Sequence, residues 1–536
     1  HEMPNWCDVS DINQYIYDLK VNNKQSAGIN FCKREIVRLA DEIVEYGFRS
    51  NQEGAAFPSK LWLMKIAERL IHVQVQNKHY DPNWFPTMCA MIAAKAEMKP
   101  PSMNRNKARI FFIMPLLKFL MDRMCQKHHM DRSYQKCGIS IKTKWAKGDA
   151  EQLYRKHFGF SDDWFHLEID AEKLDTTMLA PILEFIFLIP LYCSRAIGED
   201  DPRYPLYFMF RQMATFCAET NGVKIVKWAG MEARWVIGLM FSGLFGTSWG
   251  DSVYMRLATM MYGYFVHENL SKADPDCQAV AKLFKFTPKP DENYGDDKLL
   301  SIHNAFWDAF MGKFDAETRT FKAPLKNNDA YPTEMSNWFY ENVGVKFKPS
   351  DTHVYAEGKR PFLTIVSRTF TPQGFPKERI VRKGPKFLQR RFIEMKQNVG
   401  NGVFKNMIFP WRVTSDYYMR ATRTVNLQDS PAYWIVKIRA LKYDTCGTNA
   451  EAFHFLDYLE REWMRFVKHA HLSDLMSDLD DHQRRDILNR CKKMGIDYAI
   501  LTGQYDIGHI KAKFAPFEEK QRDRIRSGFP YYDEQG

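Results

Sequence analysis

The sequence predicts a mixed α+β chain, on three observations. Through the middle, strand-like runs such as Phe165–Ile169 and Phe362–Val366 alternate with helical patterns such as Gly246–Gly263. After Thr371 helical patterns dominate, as in Ala452–Lys468 and Ser477–Met494, the second stopped by Gly495. With 536 residues, 45% hydrophobic and 14% aromatic, the chain can bury a large core in two to four structural units.

Near the start, Ile36, Leu39, Ile43 and Val44 predict a helix over Lys33–Tyr46, and Leu63, Ile66, Leu70 and Ile71 predict another over Lys60–Val73. A basic loop, Lys95–Arg109, then runs into the apolar segment Ile110–Leu120. No signal peptide is visible at His1–Leu19. The most apolar run, Leu179–Cys193, contains Pro181, Glu184 and Pro190 and is shorter than the ~20 residues of a membrane span, so it reads as buried core. Lys127-His128-His129 reads as a solvated basic stretch. Cations from Lys377 to Lys396 crowd one region, and the tail Leu501–Gly536 is mostly irregular. Ten cysteines are scattered without a CxxC, which argues against a zinc site or disulfide framework and suits a reducing compartment. The net charge of +11 favours a polyanionic partner.

Four stretches carry candidate chemistry. Glu292–Leu300, ENYGDDKLL, places two carboxylates beside a Gly-Asp turn. Phe165–Asp175, FHLEIDAEKLD, ends a strand-like run at Asp170 and repeats the acid at Asp175. Carboxylates from a strand end and a hairpin turn together make a hard-oxygen site suited to Mg²⁺. Gly238–Ser252, GLMFSGLFGTSWGDS, is a small-residue loop that lets backbone approach a ligand closely. Lys95–Arg109, KAEMKPPSMNRNKAR, sets five cations against one acid, as a triphosphate channel would. Taken singly, each also fits an ordinary turn or solvated loop.

In this order, the basic loop, D-x4-D, SG-x3-TS-x2-DS and YGDD resemble the viral RNA-dependent RNA polymerases of the picornavirus-like supergroup. Gly344–Asp351, GVKFKPSD, looks like that family's fourth palm motif, and Thr364–Arg368, TIVSR, like its primer-grip hairpin, with Ser367 and Arg368 as the grip. The resemblance spans about Lys95 to Phe370. It implies a right-hand fold with an antiparallel palm sheet: N-terminal extension and fingers over 1–164, palm over 165–195 and 229–370, a fingers insertion over 196–228, and a mainly helical thumb with the C-terminal tail over 371–536. It implies Asp170, Asp296 and Asp297 as catalytic metal ligands, with the Ala171 carbonyl, for two Mg²⁺ or Mn²⁺ ions. Asp175 would sense the ribose, with Ser242, Gly243, Thr247 and Asp251 against the nucleotide, while Lys95, Lys99, Lys107 and Arg109 hold the triphosphate. The implied partners are template and product RNA, ribonucleoside triphosphates, and capsid or other replication proteins, in host cytoplasm or virion.

Three departures stand out. Asp251 sits where picornavirus-type polymerases have Asn, and Asp-Ser there looks more like the partitiviruses and picobirnavirus-type relatives with double-stranded RNA genomes. Thr352 occupies the place of the family's general-acid lysine, leaving Lys346 or Lys348 as substitutes. Pro288 and Pro290 precede the YGDD turn, so the first hairpin arm should be short or lie at an edge. The alternatives are a reverse transcriptase-like polymerase, disfavoured by the carboxylate Asp175, and a catalytically inactive polymerase-fold RNA-binding protein.

Overall fold

In HLEIDA, residues 166–171, successive side chains alternate between two environments, and the strand that holds them, Trp164–Glu172, organises the rest. The computed structural model describes residues 4, 90–95, 109–134, 138–143, 145, 148–158, 164–227, 232–272, 275, 278–279, 291–303, 331–348, 351–355, 363–398, 403–422, 431–466, 477, 479–494 and 510. The described elements begin with β1 (Ala90–Lys95), β2 (Arg109–Ile113), α1 (Leu116–Ser133), α2 (Asp149–Phe158) and β3 (Trp164–Glu172). A 3-10 turn (Leu174–Thr176) leads to α3 (Ala180–Tyr192), α4 (Tyr204–Gly222), β4 (Val223–Lys227), β5 (Arg234–Ile237) and α5 (Thr247–Ser271). Then come β6 (Asp291–Tyr294), β7 (Asp297–His303), α6 (Tyr331–Val343), β8 (Lys346–Phe347), β9 (His353–Tyr355), β10 (Ile365–Phe370) and β11 (Pro376–Arg382). Last are β12 (Lys386–Phe387), β13 (Arg390–Asn398), β14 (Phe404–Trp411), α7 (Thr414–Thr422), α8 (Pro431–Asp444), α9 (Ala450–Phe466) and α10 (Asp481–Met494).

The structure is a mixture of helices and largely antiparallel sheets, as expected; among the described strands β1 pairs with β4 in parallel. The central sheet runs β6-β7-β3-β8, with β9 also on β3, all antiparallel. Leu167, Ile169 and Ala171 of β3, with Leu300 and Ile302 of β7, point to one core, formed with Leu183 and Phe187 of α3, Trp249 and Tyr254 of α5, and Met335 and Phe339 of α6. The other face carries His166, Glu168 and Asp170, whose register partners are Ser301, Leu299 and Asp297. Its lower half is closed by Leu299 packing with Phe387, Phe392 and Ile408, and by His157 and His166, both within hydrogen-bond distance of Ser301 Oγ. The upper end keeps its two aspartates.

β6 has four residues and lies at the sheet edge, as the prolines before it predict. Its charged and amide side chains are nevertheless buried, and each is partnered. Asp291 accepts from Lys298 Nζ at 2.5 Å and Arg256 at 2.7 Å. Glu292 pairs with Lys156 and Ser140, and the Asn293 side-chain amide donates to the Gly138 carbonyl at 3.0 Å. A buried charge is tolerated only with such compensation, and the 138–140 segment covers the edge.

Several expectations shift. Helices were expected to dominate from Thr371, but the described residues there first form the strands β11, β12, β13 and β14, and the helices resume at Thr414. The dense cations there mask a strand pattern whose apolar positions, Phe392, Ile393, Ile408 and Phe409, are buried. The strand expected at Phe362–Val366 begins at Ile365, with Leu363 in an isolated bridge to Phe392. Leu179–Cys193 is a half-buried helix rather than core throughout: Leu183, Ile186 and Phe187 are inside, whereas Leu179, Phe185 and Tyr192 are exposed. His128 and His129 are half-buried on α1, His129 edge-on to Trp249, rather than solvated. The helix expected from Ser477 starts at Asp481, because Asp480 and Gln483 form a reciprocal cap: the Gln483 N–H donates to Asp480 Oδ1 at 2.6 Å and the Asp480 N–H to Gln483 Oε1 at 3.2 Å. The helices expected at 33–46 and 60–73 lie outside the described residues, as does the tail apart from Ile510, which is buried with Phe409, Trp411 and Phe453. Among the described residues no helix is long and apolar enough to cross a membrane.

Phe339 is fully buried, its ring 4.9 Å from Phe347 and 5.8 Å from Tyr262. Phe339→Ala should therefore cost about 3–5 kcal/mol of unfolding free energy. Tyr340→Ala next to it, at a residue 61% exposed, should stay within about 0.5 kcal/mol. Denaturant melts of the two variants check the assignment of this helix face.

Candidate active site

The β6–β7 connection is two residues, Gly295 and Asp296, closed by the pair Tyr294↔Asp297. Gly295 has φ +61°, and Asp296 is outside the positive-φ region, which fits a Gly-first type II′ hairpin turn. The turn is held twice. The Gly295 N–H donates to Ser252 Oγ of α5 at 2.9 Å, and the Ala171 N–H of β3 donates to the Asp296 carbonyl at 3.1 Å. Asp297 is the direct register partner of Asp170, so both carboxylates leave adjacent strands on one face, where paired Cβ atoms lie about 4.5–5.5 Å apart. Asp296 stands exposed at the tip.

Beyond β3 the chain reverses through Lys173, at φ 51°, into the 3-10 turn that presents Asp175. Its carbonyl accepts the Met240 N–H at 2.7 Å, and its Oδ2 accepts the Ser242 hydroxyl at 3.3 Å. The adjoining loop is pressed onto β2: the Phe112 N–H donates to the Ser242 carbonyl at 2.9 Å, and the Phe112 and Phe241 rings stack at 3.6 Å. Gly243, at φ +129°, has no room for a side chain, because a Cβ would collide with the Phe112 carbonyl. Thr247, expected to lie against the nucleotide, has its hydroxyl turned to the loop's own backbone. It donates to the Phe241 and Leu244 carbonyls at 2.9 and 3.0 Å, closing the loop where α5 begins. Asp251, on the first turns of α5, is 9% exposed and its Oδ1 has no hydrogen-bond partner.

Burial and neighbouring acids raise the pKa of Asp170, Asp251 and Asp297. Burial, then the Asp296 and Asp170 charges, push Asp297 up to about 7, with Lys386 opposing. Burial and then Asp175 and Asp296 hold Asp251 well above the usual carboxylate range. Burial also raises Asp170, against the pull of Lys348. Lys348 is bound to Asp170 at two points: its N–H donates to the Asp170 carbonyl at 2.9 Å and its ammonium to Oδ1 at 2.6 Å. Crowded, oxygen-only donors with an orphaned buried carboxylate oxygen suit Mg²⁺ or Mn²⁺. Among the described residues no three His, Cys, Asp or Glu side chains close a metal cage.

Asp170, Ala171, Asp175, Ser242, Asp251, Asp296 and Asp297 are thus brought to one end of the sheet. Lys95 and Arg109 are register partners at the mouth of the β1–β2 hairpin, while Lys99 and Lys107 lie outside the described residues. Ser367 is exposed on β10, and Arg368 pairs with Glu378 at 3.4 Å. Thr352 is buried, and Lys346 reaches Glu172 at 4.0 Å. Sequence reasoning missed the hold of Ser252 on the turn and the Asp291–Lys298–Arg256 network. Lys298 carried the signal: it follows the acid pair on the same parity as the core residue Leu300, so it needed a buried acidic partner.

The ionised Asp297 carboxylate is desolvated and faces two other acids, so it opposes folding. With the folded pKa raised to about 7 from an unfolded value near 3.9, this cost is absent below about pH 4, grows as pH rises, and is complete above pH 7. Asp297→Asn should then raise the melting midpoint by a few degrees at pH 8 in chelator, with no gain at pH 4.

No protein-family model and no curated protein matches the chain. Among solved structures it is similar to one described as Sicinivirus 3Dpol RNA dependent RNA polymerase, at 12% sequence identity and a TM-score of 0.46, over 89% of this chain and 78% of that one.

Proposed function

We propose that the chain is an RNA-directed RNA polymerase of viral type, extending an RNA 3′ end with ribonucleoside monophosphates and releasing pyrophosphate. The observation that carries this reading is the register of Asp170 against Asp297, with the Gly295–Asp296 turn pinned beside them and the Ser242–Asp175 pair alongside.

Asp170, Asp296 and Asp297, with the Ala171 carbonyl, would hold two Mg²⁺ or Mn²⁺ ions. Such ions, when bound, activate the attacking 3′-hydroxyl and stabilise charge on the leaving phosphates. Ser242 orients the Asp175 carboxylate, which accepts a hydrogen bond from the ribose 2′-hydroxyl; a deoxyribose leaves that acceptor unpaired, which is the basis of sugar discrimination. Asp251, orphaned behind them, backs the sugar position. Lys95, Lys99, Lys107 and Arg109 take the triphosphate, and Ser367 and Arg368 with the β11–β13 cations take product phosphates without reading sequence. In the right-hand arrangement, fingers comprise 1–164 and 196–228, the palm 165–195 and 229–370, and the thumb 371–536, its helices starting at Thr414. Template RNA, nucleotides and other replication or capsid proteins are its partners, in host cytoplasm or virion.

Labelled ribonucleotide incorporation on a primed RNA template tests this. Asp296→Ala should lower incorporation by about a thousandfold or more while RNA binding in a filter assay persists; undiminished incorporation sinks the reading. Asp175→Ala should narrow the preference for ribonucleotides over deoxyribonucleotides by roughly ten- to a hundredfold, measured as the ratio of kcat/KM values. An unchanged ratio removes the sugar-reading role.

A further inference from the structure

The cations around the acidic end are not interchangeable. Lys346 of β8 goes to Glu172, and Lys386 of β12 goes to Glu168 at 3.6 Å. Lys348, just past β8, is committed to Asp170, with Asp296 and Asp351 also near its ammonium. Its main chain is fixed on both sides, by its N–H to the Asp170 carbonyl and by the Asp351 N–H donating to its own carbonyl at 3.1 Å. Only the side chain is free to move. It is 35% exposed, against 15% for Asp170, so the ammonium can retract towards solvent on its flexible stem while the carboxylate stays in place.

We infer that Lys348 is a built-in counter-ion of the metal site, neutralising Asp170 until a divalent cation displaces it and so setting the metal concentration at which the site loads. This rests on the reading of Asp170 as a metal ligand. A cation binding Asp170 either needs the Oδ1 lone pair that Lys348 occupies or takes Oδ2 and meets the ammonium's repulsion. Each route weakens metal binding relative to an Asp170 without its lysine. A lysine that only braced β8 would have the opposite consequence, because its removal would loosen Asp170 and weaken the metal.

The test is Mn²⁺ titration of the full chain by electron paramagnetic resonance, without nucleotide, at fixed pH and ionic strength. Lys348→Met should bind Mn²⁺ about tenfold more tightly than wild type, Lys348→Arg should bind within about threefold of it, and Asp170→Asn should bind more weakly. The Mn²⁺-dependent rise in melting midpoint, larger for Lys348→Met than for wild type, reads the same effect and verifies that the variant folds. Unchanged or weaker Mn²⁺ binding by Lys348→Met overturns the counter-ion role, as does equal tightening by the charge-conserving Lys348→Arg. Undiminished binding by Asp170→Asn overturns the metal-ligand reading, and the counter-ion role with it.

Discussion

The ladder between β3 and β7 is the constraint on which the rest depends. Strand side chains alternate, so burying Leu167, Ile169 and Ala171 with Leu300 and Ile302 forces Asp170 and Asp297 onto the opposite face, side by side. A slip of one residue would turn both acids into the core and strand the apolar set outside. The hydrophobic register is therefore what brings two like charges together, against their own repulsion. The folding free energy of the helix-covered face holds a pair that electrostatics alone would separate.

What surrounds that pair divides into holding and poising. Ser252, the Ala171 N–H and the Phe112–Ser242 backbone contact fix positions of main chain. Lys348 and Ser242 supply a counter-charge and a hydrogen bond to the carboxylates they face, Asp170 and Asp175. Gly243 belongs to the first group by omission, since a side chain there would push the loop off β2 and take Ser242 away from Asp175.

Much of this arrangement was legible in the residues, for physical reasons that also explain what was not. Acids at a strand end and at a Gly-Asp turn announce themselves because turn chemistry and strand periodicity are local. The prolines before Asp291 foretold the short edge strand for the same reason. The strands of Pro376–Trp411 were hidden because cations dominate the local composition, while the apolar partners of Phe392 and Ile408 come from α2 and β7, far away in sequence. The commitment of Thr247 to loop carbonyls, and of Lys348 rather than Lys346 to Asp170, depends on three-dimensional closure that spacing does not encode. The partial exposure of α3 was missed because an apolar run says how much hydrocarbon a helix carries, not how much of it finds a neighbour.

One arm of the acidic hairpin is held chiefly by ion pairs and amide contacts, through Asp291, Glu292 and Asn293, where a strand in this place could have been fixed by hydrocarbon. That exchange has a thermal meaning. Apolar burial gives local opening a large positive heat capacity, whereas exposing polar groups lowers it, so the free energy of opening this arm has little curvature with temperature. The desolvation cost of its charges also falls on warming. The hold on the turn bearing Asp296 therefore gains on warming, where stabilisation by the hydrocarbon core beneath it levels off.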